Sequence, residues 1–212
     1  MRVAPAAVCA ITAALFATVS VGGSMLWCNN CLAKNQETCN NPFAVPCSNS
    51  TCATISELFY LEGEQIPTYE QSCLNLPPAA CEALMRLSVE EHLKIRVTFD
   101  CCNNTNNCNT GEYKRQREDA PPNGLKCPVC FKTNFTEPCD PFTNTMDCTL
   151  NEEECVTFIG KLRLADASEH LLSFRGCTIQ DGCTSGFSGL YGTSAVGNYT
   201  LDCKAAMGVK TS

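Results

Sequence analysis

Leu93-Lys94-Ile95-Arg96-Val97-Thr98-Phe99-Asp100 alternates apolar and polar side chains without a break. That period of two predicts a strand with one face buried. It runs directly into the doublet Cys101-Cys102. Asn198-Tyr199-Thr200-Leu201-Asp202-Cys203 carries the same alternation more weakly, again ending on cysteine. Val156–Leu164 followed by Ser168–Arg175 predicts a hairpin. Glu82–Glu91 fits a helical turn, and no segment predicts a helix long enough to cross over a sheet. The pattern is that of an all-β chain of hairpins.

Cysteines punctuate those hairpins. Of 19 in the 212 residues, Cys9 lies in an apolar N-terminal run and the rest form two blocks. The first is Cys28, Cys31, Cys39, Cys47, Cys52, Cys73, Cys81, Cys101, Cys102 and Cys108, with 2, 7, 7, 4, 20, 7, 19, 0 and 5 residues between them. The second is Cys127, Cys130, Cys139, Cys148, Cys155, Cys177, Cys183 and Cys203, with 2, 8, 8, 6, 21, 5 and 19. Seven successive gaps agree within two residues, so the chain is an internal duplication. Gaps of 19 to 21 residues suit two strands and a turn. Adjacent Cys101 and Cys102 cannot easily bond each other, so each pins a different segment. The second block stops short of this, with Lys204 where a second doublet cysteine would stand.

Residues 1–23 read as a secretory signal peptide: Arg2, an apolar run from Ala4 to Val21, then Gly22-Gly23-Ser24. The alternative is an uncleaved anchor, for which that run is just long enough. Removal of the leader takes Arg2 with it, leaving a chain one unit more negative than the −7 of the full sequence. Such a charge opposes nucleic acid and anionic lipid and favours a basic partner. A dense, even cysteine set behind a leader places the protein outside the cell, oxidised into disulfides. Sequons at Asn49, Asn103, Asn134 and Asn198 are candidate glycan sites. Thr110–Gly124, with mixed charge, Pro121-Pro122 and Asn123-Gly124, reads as an exposed linker. Residues 24–110 and 125–212 are then two domains joined by 111–124.

Leu26-Trp27-Cys28 with Cys31, ten cysteines at these gaps, and Cys101-Cys102 closing on Cys108-Asn109 resemble the three-finger domain of the lymphocyte-antigen and urokinase-receptor family. The second block resembles a form lacking the last bridge. The linker ending Pro122-Asn123-Gly124 and the close Cys203-Lys204-Ala205-Ala206 are similar to the gamma-type phospholipase A2 inhibitors, secreted two-domain glycoproteins that neutralise secreted phospholipases A2. The resemblance implies a small disulfide-rich all-β fold of two tandem three-finger (snake-toxin-like) domains. It implies the pairs Cys28–Cys52, Cys31–Cys39, Cys47–Cys73, Cys81–Cys101 and Cys102–Cys108, then Cys127–Cys155, Cys130–Cys139, Cys148–Cys177 and Cys183–Cys203. It places Asn109 as a side chain bonded back into the bridged palm. It also makes a secreted phospholipase A2 the expected partner, bound by protein contact, with oligomerisation among the family's habits. Leu58–Leu61 and Ile66–Tyr69 would flank the second finger's tip, making Phe59, Tyr60 and Tyr69 candidate partner contacts. Packing between the two modules is the alternative for that cluster. Pro121 and Pro122 match the end of the linker proposed to touch phospholipase, although Lys114–Asp119 puts charge where those inhibitors are apolar.

Little chemistry competes with binding. His92 and His170 each stand beside glutamate in strand-like segments, and with every thiol bridged no thiolate remains for catalysis. Secreted phospholipases also carry a cysteine doublet, but theirs precedes a His-Asp pair; here Asn103-Asn104-Thr105 follows. The Cys-x-x-Cys pairs at 28/31 and 127/130 open the repeated frame and are not read as zinc sites. Glu152-Glu153-Glu154 lacks calcium-loop spacing. The reading is a non-enzyme with no cofactor or metal. A soluble inhibitor and a receptor-like or adhesion ligand of the same fold remain as functions, and the tail Lys204–Ser212 shows no apolar anchor signal.

Overall fold

The computed structural model describes residues 25–48, 51–75, 81, 84–134, 139–140, 144–187 and 190–208. The elements are β1 (Leu26–Lys34), β2 (Phe43–Cys47), β3 (Thr51–Leu61), β4 (Glu64–Leu74), β5 (Leu84–Val89) and β6 (Leu93–Cys102) in the first module. The second holds β7 (Pro122–Thr133), β8 (Asn144–Thr149), β9 (Glu152–Leu164), β10 (Glu169–Ile179), the one-turn α1 (Gly182–Ser185), β11 (Thr193–Ala205) and β12 (Met207–Gly208). All strand pairs are antiparallel, and both modules join one sheet in the order β11-β9-β10-β5-β6-β3-β4-β1-β2. Strand β7 pairs with β10, β8 and β12. These are two tandem three-finger modules held by nine disulfides, five in the first and four in the second.

Leu84–Val89 is a strand and not the helical turn expected there. Six residues with apolar positions at 84, 85, 87 and 89 satisfy either period. Pairing decides: β5 is held by β6 along its length and by β10 at Leu87 and Ser88. A lone helical turn has nothing comparable to offset its nucleation cost.

Each module's central strand sorts its residues by parity from a cysteine. One and three residues after Cys52 come Ala53 and Ile55, then Phe59 and Leu61. At the same distances from Cys155 come Val156, Phe158, Leu162 and Leu164. All are buried, and all but Ala53 belong to one apolar cluster spanning both modules, with Leu87, Val89, Leu93, Ile95 and Val97 on one side and Leu172, Phe174 and Phe187 on the other. Phe158 stacks on Phe174 and meets Phe187 edge-on. Each such side chain contributes about 1.5–3 kcal/mol on burial. A module of projecting hairpins is expected to have little shared core; instead, equivalent faces of the two copies merge into one.

The sheets also join edge to edge. Cys177 and Thr178 of β10 pair with Ser88 and Leu87 of β5, and Thr178 Oγ1 donates to the Arg86 carbonyl at 3.0 Å. Ser88 Oγ donates to the buried carboxylate of Glu152. Gly176 lets the strands approach this closely, since a Cβ there would overlap the Ser88 carbonyl oxygen. Replacing Gly176 with alanine should therefore cost about 1–3 kcal/mol of stability. Hydrogen exchange should quicken at Leu87, Ser88 and Thr178 while the nine bridges stay intact; unchanged exchange there would count against this junction.

Candidate protein-interaction surface

The opposite face of the first module's sheet carries Thr54, Ser56, Leu58 and Tyr60 of β3, Tyr69 and Gln71 of β4, Arg86 and Ser88 of β5, and Lys94 and Arg96 of β6. The segment after Cys108 crosses it strand by strand. Asn109 comes first, 2% exposed: its Oδ1 accepts from Asn29 N–H at 2.9 Å and its Nδ2 donates to the Asn29 and Ala53 carbonyls. Over β4, Gln71 Nε2 donates to the Asn109 carbonyl and Tyr69 hydroxyl to that of Gly111. Lys114 N–H donates to Ser56 Oγ over β3 at 2.9 Å, and Tyr113 hydroxyl to the Glu57 carbonyl at 2.7 Å. Gln116 Nε2 then donates to the carbonyls of Val97 in β6 and Met85 in β5. The charged side chains of this segment are largely exposed, as befits a linker, while its backbone, Tyr113 and Gln116 strap it to the sheet.

Two arginines lie under the strap. Arg86 and Arg96 are directly opposite each other across β5 and β6, and both are buried. Like charges in that register repel. Glu118 of the strap offsets this, accepting from Arg96 at 3.2 Å, while Arg86 donates to Gln116 Oε1 at 2.9 Å and to the Arg117 carbonyl. Arg96 further donates to the Leu87 and Ile95 carbonyls and to Ser88 Oγ.

The other face carries its own polar island at the module junction. Glu57 is 1% exposed, and its Oε2 accepts the backbone N–H groups of Tyr191 and Gly192 at 3.0 Å. Gly192 is needed there, because a Cβ would overlap Thr68 Oγ1. Burial raises the Glu57 carboxyl pKa against these N–H donors. Burial likewise pushes neighbouring Glu70 up to about 7, with the Glu57 charge adding to the shift.

This architecture relocates the candidate contacts. Phe59, 1% exposed, lies in the shared core, and Tyr69 is buried beneath the strap, so neither offers a surface to a partner. Phe59 belongs to the apolar cluster that spans both modules. Tyr60 is half-buried, with Lys94 Nζ 5.5 Å from its ring centre. Pro121 and Pro122 are exposed where the chain enters β7. Asn103, Asn134 and Asn198 are exposed, and Asn49 falls outside the described residues. His92 sits in the β5–β6 turn, not in a strand, stacked 5.1 Å from Phe131 of the second module. His170 lies in β10, 2.9 Å from Ser168 Oγ. The sulfurs of Cys28, Cys47 and Cys73 converge, as do those of Cys127, Cys148 and Cys177, but every one is bridged.

Sequence reasoning missed the apolar surface of the first finger. Phe43 is 61% and Leu32 46% exposed, and strand parity puts them on one face of β1–β2, with Trp27 on the other. A large aromatic in a short segment between cysteines was the available signal. Both faces of the β3–β6 sheet are covered, whereas this finger is exposed.

A u-PAR/Ly-6 domain matches residues 24–111 and again residues 123–205. The chain belongs to the u-PAR/Ly-6 domain family. Domains of this family act outside the cell, free or held at its surface, and bind other proteins. No curated protein matches the sequence. Among solved structures, the crystal structure of mouse TEX101 is similar over 84% of this chain and 98% of its own, at 16% identity and a TM-score of 0.36.

The two junction carboxylates give this u-PAR/Ly-6 protein a pH dependence. Glu70 binds its proton more tightly folded than unfolded, so its contribution is full below about 4.5 and lost as pH rises through about 7. Lowering pH from 7.5 to 5 should stabilise the fold, by on the order of 1–3 kcal/mol. Denaturant unfolding across that range checks it, and Glu70→Gln should flatten the profile.

Proposed function

We propose that this u-PAR/Ly-6 protein is a secreted inhibitor that sequesters a secreted phospholipase A2 by direct protein contact. The observation that carries the reading is the form of the second module. Lys204 replaces the doublet's second cysteine, the last bridge is missing, and the cysteine frame of the module ends as Cys203-Lys204-Ala205-Ala206 after a linker ending Pro122-Asn123-Gly124. That combination is what resembles the gamma-type inhibitors. The physical character of the molecule supports it. All cysteines in the two modules are bridged, which leaves no nucleophilic thiol. Net charge is −7, complementary to a basic enzyme. The apolar patch of Leu32 and Phe43 stands on a stapled finger, which suits an anchor that loses little freedom on binding.

An inhibitor of this kind holds its enzyme without consuming it. Loss of phospholipase activity should be stoichiometric and saturable, with no cleavage of either chain. Raising salt should slow association more than it speeds release. Replacing Leu32 and Phe43 together with alanine should weaken the complex by about 1–3 kcal/mol, whereas Phe59→Ala should act through stability, at about 3–5 kcal/mol. Titration of purified protein against acidic and basic secreted phospholipases decides the matter. Absence of any complex at micromolar concentration transfers the reading to a receptor-like or adhesion ligand.

A further inference from the structure

The duplication places a second copy of the strap's seat on the other module. Counted from their cysteines, Thr157 stands where Thr54 does, Arg175 where Gln71 does, and Asp202 where Asp100 does. In the first module these positions receive the strap. A Cβ built on Gly111 would lie 3.4 Å from Asp100 Oδ2 and 3.7 Å from Thr54 Oγ1. Gln71 donates to the Asn109 carbonyl, and Lys114 Nζ pairs with Asp100 at 2.7 Å. In the second module Thr157, Arg175 and Asp202 instead line an open cavity of about 340 Å³, with Lys204 and Met207 at its rim. The described chain after β11 leaves by another route: Ala206 N–H donates to the Glu153 carbonyl, and Met207 pairs with Lys126 of β7.

The substitutions between the two seats indicate the occupant. Gln71 becomes Arg175, Leu58 becomes Lys161, Tyr60 becomes Arg163, and Cys102 becomes Lys204. Glu169 engages Lys161 and Arg163, and Asp202 lies 3.6 Å from Lys204. Arg175 is at the cavity wall with its Nε buried and lacking a hydrogen-bond partner. On a chain of net charge −7, this face has turned cationic. We propose that the outer face of the second module, centred on Thr157, Arg175 and Asp202, docks an extended acidic segment of a partner protein, laid across the sheet as the strap lies across the first. A carboxylate of that segment meets Arg175, with the charge-assisted geometry that guanidinium favours. A small residue sits over Thr157 and Asp202, as Gly111 does over Thr54 and Asp100. This assignment is independent of the phospholipase reading.

The test uses the full chain, isotope-labelled for NMR, titrated with the decapeptides (Gly-Glu)5 and (Gly-Lys)5. The acidic peptide should shift the amides of Thr157, Arg175 and Asp202, and the basic one should leave them in place. Arg175→Gln, which restores the residue type of the first module, should weaken acidic binding about tenfold. Thr157→Trp fills the cavity and should abolish binding; should that variant fail to fold, the Arg175→Gln comparison decides alone. Equal binding of both peptides, shifts confined to other surfaces, or unchanged affinity in Arg175→Gln overturns the proposal. So does a dimer in sedimentation that Arg175→Gln dissolves, which would make the occupant a second copy of this chain.

Discussion

Phe59 and Leu162 stand seven residues beyond equivalent cysteines in two copies of one module, and both end in the same apolar cluster. On this shared burial the rest of the molecule depends. A module of 80 to 90 residues made of projecting hairpins buries little on its own and leans on its disulfides. Merging equivalent faces gives both copies a core that neither has alone. It also settles where the polar groups must go. A carboxyl on the merged face either finds donors inside the junction, as Glu57 Oε2 does at the backbone of Tyr191 and Gly192, or is favoured in its protonated form by burial, as Glu70 is.

The opposite face of the first sheet answers to a different constraint. Arg86 and Arg96, buried side by side, need acceptors that their own strands supply only in part. The strap brings Gln116, the Arg117 carbonyl and Glu118. On β5 and β6, the residues that cover the sheet thus also satisfy its buried charge. By covering the sheet the strap takes water away from its carbonyls and side chains, and its hydrogen bonds replace those contacts, whose loss uncompensated would cost about 1–3 kcal/mol each.

How much of this could be read in advance follows from the kind of signal each feature leaves. Unbroken alternation over Leu93–Asp100 marks β6, and the repeated cysteine gaps mark two modules of one family. Parity also says that Ile55, Phe59 and Leu61 share a face, but not what that face meets; in the fold it lies in the cluster that spans both modules, and Phe59 is core. Leu84–Val89 was ambiguous because six residues are too few to separate the periods. The strap hid behind its charges: Lys114, Arg115 and Glu118 look like a solvated linker, and bonds from Tyr113 and Gln116 to backbone carbonyls leave no trace in a hydropathy pattern.

The course of the strap has one more consequence. It leaves β4, passes over β3, β6 and β5 on one side of the first sheet, and delivers the chain to a module whose core lies on the other side. The first sheet is therefore encircled by its own continuation. The strap bonds to the first module, so it is the merged core and the β5–β10 edge that hold the second module against it. That junction sets the spacing between the first finger and the outer face of the second module. A partner that reached both would forfeit rigid-body freedom and little internal motion, so two modest contact areas would combine with a small entropic penalty for aligning them.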